Sequence, residues 1–138
     1  MRQALHTLSI NTRRKGLLPI SRPVLDWVGA QGIETGLLTI WCRHTSASLL
    51  VQENADPDVQ TDIESWFDRV APEGPHYVHD IEGPDDMPAH LRSILSGVQL
   101  TIPVSGGRPV LGTWQGIYLF EHRARPHRRE VVLHLLGE

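Results

Sequence analysis

The chain has 138 residues, with 13 lysines and arginines against 16 aspartates and glutamates, eight histidines, one cysteine and a net charge of −3. This length predicts one domain over residues 1–138 with a single core. One cysteine excludes a disulfide-framed secreted domain and a four-thiolate zinc module. The mildly negative charge argues against a nucleic-acid binder. The chain shows neither a signal peptide nor a membrane span, so we expect a cytoplasmic protein with no membrane partner.

The first third of the chain predicts strands around one helix. Alternating apolar residues predict a strand over 4–10, and a turn follows over 11–16. Ser21 as the cap and Pro23 in the first turn predict a helix that ends before Gly32. Residues 36–42 are apolar at consecutive positions, which indicates a strand covered on both faces.

The rest of the chain predicts two helices and three strands. Asp56 as a cap and Pro57 predict a helix over 57–70, and Asp86 as a cap with Pro88 predicts a second helix that ends at Gly97. Strands follow over 98–104, 110–123 and 131–136, separated by turns at 105–109 and 125–129. The strand over 110–123 is apolar on both faces, which fits an intersubunit sheet or a buried central strand. The predicted class is α+β, with antiparallel sheets packed as a sandwich and two or three short helices.

Residues 76–90 form the most polar segment of the chain. The segment contains the imidazoles and carboxylates of His76, His79, Asp80, Glu82, Asp85, Asp86 and His90. These groups are ligands for divalent metals, and they also serve as caps, turn formers and solvated surface groups. The spacing matches no zinc signature such as His-Glu-x-x-His, so the pattern leaves both interpretations open.

Two further segments have polar residues beside apolar strands. Residues 44–48 follow a predicted strand, and their imidazole and hydroxyls fit an anion-binding turn or a hydrogen-bonded loop. A nucleophile is disfavoured because no nucleophile elbow surrounds Ser46 or Ser48. Gly112 and Gly116 flank Trp114 inside a predicted strand, which indicates that a ligand or a neighbouring chain approaches closely.

Five segments together resemble the YjbQ-like family, whose members are known as secondary thiamine-phosphate synthase enzymes. The segments are His44–Ala47, Glu53–Pro57, Tyr77–His79, Glu82–His90 and Leu111–Ile117. The resemblance covers essentially the whole chain. It implies an α+β fold with antiparallel sheets, assembled as a homotrimer with polar sites near the subunit interfaces.

The resemblance also implies a set of site residues. His44, His79 and His90 match the family's histidine positions, and we expect them to bind a divalent cation (Zn²⁺, Mg²⁺ or Mn²⁺) or the anion of a small phosphorylated metabolite. The matching groups expected to act in catalysis are Glu82, Asp85, Asp86, Gln115 and Glu121. The residues expected to bind substrate are Thr45, Ser46, Asn54 and Thr113.

The activity implied by the resemblance joins hydroxymethylpyrimidine diphosphate to a thiazole phosphate and releases pyrophosphate. The principal enzymes for this reaction resemble barrels of about 200 residues or more, which this chain is too short to form. We therefore expect the activity to be secondary. Two alternatives stay open: a metal-dependent hydrolase of a small phosphorylated or amide substrate, and a non-enzymatic trimer that binds a metabolite or a metal.

Overall fold

The computed structural model describes residues 1–138 and contains eight strands and three helices. In chain order these are β1 (Arg2–Thr12), β2 (Gly16–Pro19), α1 (Ser21–Ala30), β3 (Thr35–Cys42), β4 (Ala47–Glu53), α2 (Pro57–Val70), α3 (Asp86–Ser96), β5 (Gln99–Ser105), β6 (Arg108–Pro109), β7 (Gln115–Glu121) and β8 (His127–Gly137). None of the helices combines the length and apolarity needed to cross a bilayer.

The strands form two antiparallel sheets. One has five strands in the order β1-β8-β3-β5-β6, and the other has three in the order β2-β7-β4. The hairpin between β5 and β6 turns at Gly106 and Gly107, whose φ angles of 62° and 73° suit glycine at both central positions. The predicted α+β class with antiparallel sheets is confirmed.

β7 is the central buried strand of the molecule. On one face, Ile117 and Leu119 join the core with α1 and the inward residues of β3, β5 and β8. On the other face, the ring of Phe120 packs edge-on against Phe67 of α2, with ring centroids 5.0 Å apart. Of the two interpretations of this apolar segment, the structure therefore supports the buried central strand. The strand is shorter than predicted, because it begins at Gln115 and leaves Trp114 64% exposed.

The structure confirms the predicted N-cap of α2 but not those of α1 and α3. α2 begins as predicted, with the Asp56 side chain accepting a hydrogen bond from the Asp58 N–H at 2.9 Å. Ser21 does not cap α1, because Ile20 occupies the N-cap position and Ser21 Oγ accepts from the Ile117 N–H instead. Asp86 is the first residue of α3 and does not cap it. The Asp86 carboxylate instead accepts a hydrogen bond from Arg123.

The strand predictions for β3 and β4 need correction. β3 is not covered on both faces, because only Leu38, Ile40 and Cys42 point into the core while Leu37 and Trp41 are 44% and 46% exposed. β4 was not predicted, and neither was the short β2. β4 lacks the polar and apolar alternation of a half-buried strand because Ser48 is fully buried, held by hydrogen bonds to other side chains.

Candidate functional site

The polar segment before α3 is anchored by the residues that follow β7. Arg123 Nη1 donates to Asp86 Oδ1 at 2.7 Å, and Arg123 Nη2 donates to the carbonyl oxygen of Glu82 at 2.8 Å. The Ala124 N–H donates to Asp85 Oδ2 at 2.8 Å. These bonds hold the start of α3 and the acidic turn before it against the end of β7.

Four side chains of this segment converge. His79, Glu82, Asp86 and His90 each offer one ligand atom, and these atoms lie within 4.8 Å of one another. Asp86 Oδ2 is central, 2.6 Å from His79 Nε2 and 3.1 Å from His90 Nε2. Asp86 and His90 are four residues apart on α3, a spacing that places them on the same helix face. We call these four residues the 79–90 cluster.

The second ring nitrogen of His90 determines its tautomer. His90 Nδ1 lies 2.9 Å from the carbonyl oxygen of Thr45, which can only accept, so Nδ1 carries a proton. In the neutral ring Nε2 then has a lone pair directed at Asp86 Oδ2. Two acceptors at this distance require a proton or a cation between them. A histidine that binds a metal through one ring nitrogen usually donates a hydrogen bond from the other ring nitrogen to a carbonyl or a carboxylate. The donor set of the 79–90 cluster therefore fits a divalent cation.

The carboxylates of this region favour the ionised form. Burial opposes ionisation of Asp86, but the hydrogen bond with His79 and the charge of Arg123 outweigh it and lower the pKa of Asp86. For Asp85, burial is likewise outweighed by the Ala124 N–H and Arg123, which lower its pKa. The hydrogen bond to Asp86 raises the pKa of His79. Asp85 and Asp86 therefore favour the carboxylate form, which is the form that binds a cation, whereas His79 would have to lose its proton before it could bind one.

The cluster has an inner and an outer half. The Asp86 side chain is 3% exposed and that of His90 is 30% exposed, whereas those of His79 and Glu82 are 39% and 60% exposed. A ligand from solvent would therefore meet His79 and Glu82 first.

His44 does not join the 79–90 cluster. Its Nε2 accepts a hydrogen bond from the backbone N–H of Glu130 at 2.8 Å, which ties the residue to β8. Burial lowers the pKa of His44, and the charge of Arg129 lowers it further. Because its Nε2 is already engaged, His44 cannot share a ligand sphere with His79 and His90 through that nitrogen. Of the three histidines predicted to converge, the structure brings together His79 and His90 but not His44.

Glu121 forms a separate buried ion pair with Arg129, and Ser46 is hydrogen-bonded to the same arginine. Arg129 Nε donates to Glu121 Oε1 at 2.8 Å, and Arg129 Nη2 donates to both Glu121 Oε2 and Ser46 Oγ. Thr12 Oγ1 also donates to the Glu121 carboxylate. Burial opposes the charge of Glu121, but Arg129 and Thr12 lower its pKa. This network ties β1, β7 and β8 together, and Glu121 is not among the residues of the 79–90 cluster.

Gln115, Asn54 and Thr113 also lie away from the cluster, at the other end of β7. Asn54 Nδ2 donates to the carbonyl oxygens of Thr113 and Gln115 at 3.1 and 3.2 Å, and Gln115 Oε1 accepts from the Gly112 N–H. A Cβ on Gly116 would lie 3.1 Å from Asn54 Cβ, so Asn54 of the same chain closely approaches this glycine. These side chains fix a turn.

Of the sequence-predicted site residues, the structure brings together His79, Glu82, Asp85, Asp86, His90 and the carbonyl of Thr45. Sequence reasoning did not assign Arg123 to the site. An arginine directly after an apolar strand, in a chain with an acidic segment in its middle, is the signal that could have pointed to it. Arg129 was also missed, because its partner Glu121 is recognisable only once the burial of both is known.

Comparison with known proteins gives one consistent result. The family model of the UPF0047 protein YjbQ-like family matches residues 6–138. The UPF0047 protein sll1880 of Synechocystis sp. is 51% identical over 138 residues, covering 99% of this chain and 94% of the relative. The UPF0047 protein YjbQ of Salmonella typhimurium is 44% identical, covering 96% of each chain. A crystal structure of an uncharacterized conserved protein of the YjbQ/UPF0047 family from Clostridium acetobutylicum matches with a TM-score of 0.88 and 34% identity, covering 95% of this chain and 99% of that one.

Proposed function

The chain belongs to the UPF0047 YjbQ-like family, and on that premise we propose that it is a metal-dependent enzyme acting on a small phosphorylated metabolite. The 79–90 cluster is the proposed metal site. The observation that carries the proposal is the orientation of His90, whose Nδ1 faces the Thr45 carbonyl and whose Nε2 faces a buried carboxylate.

The composition of the cluster indicates the class of metal. Two imidazoles and two carboxylates suit Zn²⁺ or Mn²⁺ better than Mg²⁺, which prefers oxygen ligands and retains waters. His79 and His90 would contribute Nε2, and Glu82 and Asp86 a carboxylate oxygen each. When bound, the cation would neutralise charge on phosphate oxygens. Arg123 contributes by holding Asp86 in place, since its guanidinium is engaged by Asp86 and the Glu82 carbonyl.

The specific reaction that we propose is the one implied by the family resemblance. A ring nitrogen of the thiazole phosphate forms a bond to the methylene carbon of hydroxymethylpyrimidine diphosphate, and the bond from that carbon to the diphosphate oxygen breaks. Pyrophosphate leaves with the electron pair, and the product is thiamine phosphate. The exposed positions of His79 and Glu82 are consistent with a diphosphate entering from solvent.

Pyrophosphate release by the Mn²⁺- or Zn²⁺-loaded protein tests the proposal. With both precursors we expect pyrophosphate and thiamine phosphate in equal amounts, and no release with either precursor alone. His79→Ala should lower both metal content and release, whereas His76→Ala, in the same segment but outside the cluster, should leave both unchanged. A His79→Ala variant with full metal content and full pyrophosphate release would reject the assignment.

The same assay separates the remaining functions. Phosphate released from a single ester, without joining of two precursors, identifies a hydrolase. Tight binding of a phosphorylated ligand with no turnover in metal-loaded protein identifies a binding protein. Either result would replace the transferase reaction while keeping the metal site.

We also propose that the chain assembles as a homotrimer. The inward face of the five-stranded sheet forms the core, and the opposite face leaves large apolar side chains exposed. Leu37 of β3 and Leu136 of β8 are direct neighbours on this face and are 44% and 36% exposed. Leu5 of β1, on the same sheet, is 71% exposed. Covering this surface in an assembly would remove apolar area from water.

A further inference from the structure

The buried ion pair between Arg129 and Glu121 makes hydrogen bonds that extend beyond the pair itself. Arg129 lies on β8 and Glu121 ends β7, and the two residues are 3% and 1% exposed. Replacing a buried ion pair with well-packed apolar residues is often neutral for stability, so stability alone does not explain such a pair. Its hydrogen bonds run in two directions, and both lead to the 79–90 cluster.

The first direction runs from Arg129 to His90. Arg129 Nη2 donates to the carbonyl oxygen of Ser46 at 3.1 Å and to Ser46 Oγ at 3.0 Å. The peptide group between Thr45 and Ser46 carries the carbonyl oxygen that accepts from His90 Nδ1 at 2.9 Å. Because a peptide group is planar and rigid, holding Ser46 in place restricts the direction of the Thr45 carbonyl.

The second direction runs from Glu121 to Asp86. Glu121 Oε2 accepts hydrogen bonds from the backbone N–H groups of His122 and Arg123, at 3.0 and 3.2 Å. β7 ends at Glu121, so these two donors lie beyond the strand. The carboxylate therefore sets the path of the chain after β7, up to the arginine whose guanidinium donates to Asp86 Oδ1 at 2.7 Å.

Each direction reaches a side chain of the cluster through the atom that does not face the cation site. His90 is held at Nδ1 and Asp86 at Oδ1, which leaves His90 Nε2 and Asp86 Oδ2 directed at each other at 3.1 Å. Mutating residues that orient metal ligands in this way typically costs about 10–100-fold in metal affinity. Neither Arg129 nor Glu121 is one of the four residues of the cluster, so both would act through other residues.

We infer that Arg129 and Glu121 are positioning residues for the inner half of the proposed metal site. Arg129 fixes His90 through the peptide group between residues 45 and 46, and Glu121 fixes Asp86 through the chain after β7. Two ligands that must keep a constant separation are thus anchored to the same buried ion pair. This inference rests on the proposed function, which places a cation at the cluster, and it adds the residues that maintain the geometry of the site.

The metal affinity of two size-conserving variants tests this role. Arg129→Lys keeps the positive charge beside Glu121, but one ammonium group does not reproduce the guanidinium fork that bonds to both Glu121 and Ser46. Glu121→Gln places an amide donor where a carboxylate oxygen accepts. Calorimetric titration with Mn²⁺ should show binding at least about tenfold weaker in each variant, with circular dichroism used to establish that the variants are folded.

Val28→Ala is the matched control for a loss of stability. Val28 lies on α1 in the hydrophobic core and is completely buried, so its truncation destabilises the fold without touching the hydrogen bonds of the ion pair. Its Mn²⁺ affinity should equal that of the wild type. The visible spectrum of the Co²⁺-loaded protein adds a readout of ligand geometry, which should change in Arg129→Lys and Glu121→Gln and stay as in the wild type in Val28→Ala.

A milder variant covers the case in which the ion-pair variants do not fold. Ser46→Ala removes only the bond from Arg129 Nη2 to Ser46 Oγ, and it should weaken Mn²⁺ binding by about threefold. Unchanged affinity in Ser46→Ala would overturn the direction through Arg129.

The outcomes separate this inference from the proposed function. Wild-type affinity and spectrum in Arg129→Lys or Glu121→Gln would overturn the positioning role of that residue, and equal weakening in Val28→Ala would overturn both roles. In each of these cases the metal site stands. If the wild-type protein binds neither Mn²⁺ nor Co²⁺, the proposed function fails and the positioning role fails with it.

Discussion

His90 directs its Nε2 at Asp86 Oδ2 from 3.1 Å, one turn further along α3. The carboxylate of Asp86 is almost completely buried, and Nδ1 of the His90 ring is hydrogen-bonded to the backbone carbonyl of Thr45. A fixed ring and a fixed carboxylate hold their ligand atoms in place before any cation binds, which lowers the entropy cost of binding.

Metal binding should stabilise the folded chain. A cation that binds only the folded state, at a concentration about 100-fold above its dissociation constant, should raise the free energy of unfolding by about 2.7 kcal/mol. Urea unfolding with added Zn²⁺ or Mn²⁺ and with a chelator measures this difference. His90→Ala should abolish it, whereas His127→Ala, outside the cluster, should retain it. Equal unfolding free energies with metal and with chelator would contradict the metal site.

Removing Arg129 should destabilise the fold strongly. Arg129→Met leaves the Glu121 carboxylate, 1% exposed, without its cation. Loss of one partner of a buried pair costs about 3–5 kcal/mol. Arg128→Met is the control, because Arg128 is an exposed neighbour on β8 and surface changes usually stay within about 0.5 kcal/mol. Chemical denaturation of both variants gives the comparison, and similar losses in the two would refute the role of the pair.

His122 should make the fold sensitive to acid. The ring is buried, with Nε2 2.8 Å from Ser48 Oγ, and burial lowers the pKa of His122 to about 3. Between the unfolded pKa of about 6.5 and the folded value, only the unfolded state binds the proton. Stability should therefore fall as pH decreases through this window, by about 1.4 kcal/mol per pH unit.

Denaturation at several pH values measures that slope. His122→Gln retains a polar group for Ser48 but does not titrate, so its stability should depend less on pH between about 6 and 5, above the range in which carboxylates titrate. The same slope in both proteins would show that His122 is not the group responsible.

The exposed face of the five-stranded sheet should determine the oligomeric state. Leu37→Arg places a charge on this face, beside Leu136, and should disrupt the proposed trimer without affecting the core. Light scattering should give about three times the 15.5 kDa chain mass for the wild type and a lower mass for the variant. Ile94→Arg, an exposed apolar position on α3, serves as the control. A wild-type protein of monomer mass would refute the trimer.

The sequence by itself determined the elements whose signals are local. Asp56 and Pro57 mark the start of α2 because a cap and an N-terminal proline act within a few residues. The segment over 76–90 was identifiable as a candidate site because it holds several ligand-type side chains close together in the chain. The spacing of Asp86 and His90 follows from the helix that contains them.

Only the tertiary structure decided which distant residues meet. Arg123 reaches Asp86 because β7 ends beside the start of α3, and Arg129 neutralises Glu121 because β8 returns past β7. His44 appeared equivalent to His79 and His90 in sequence, yet the Glu130 amide ties it to β8. Burial and hydrogen-bond partners depend on contacts between segments far apart in the chain, and no local pattern of residue types contains that information.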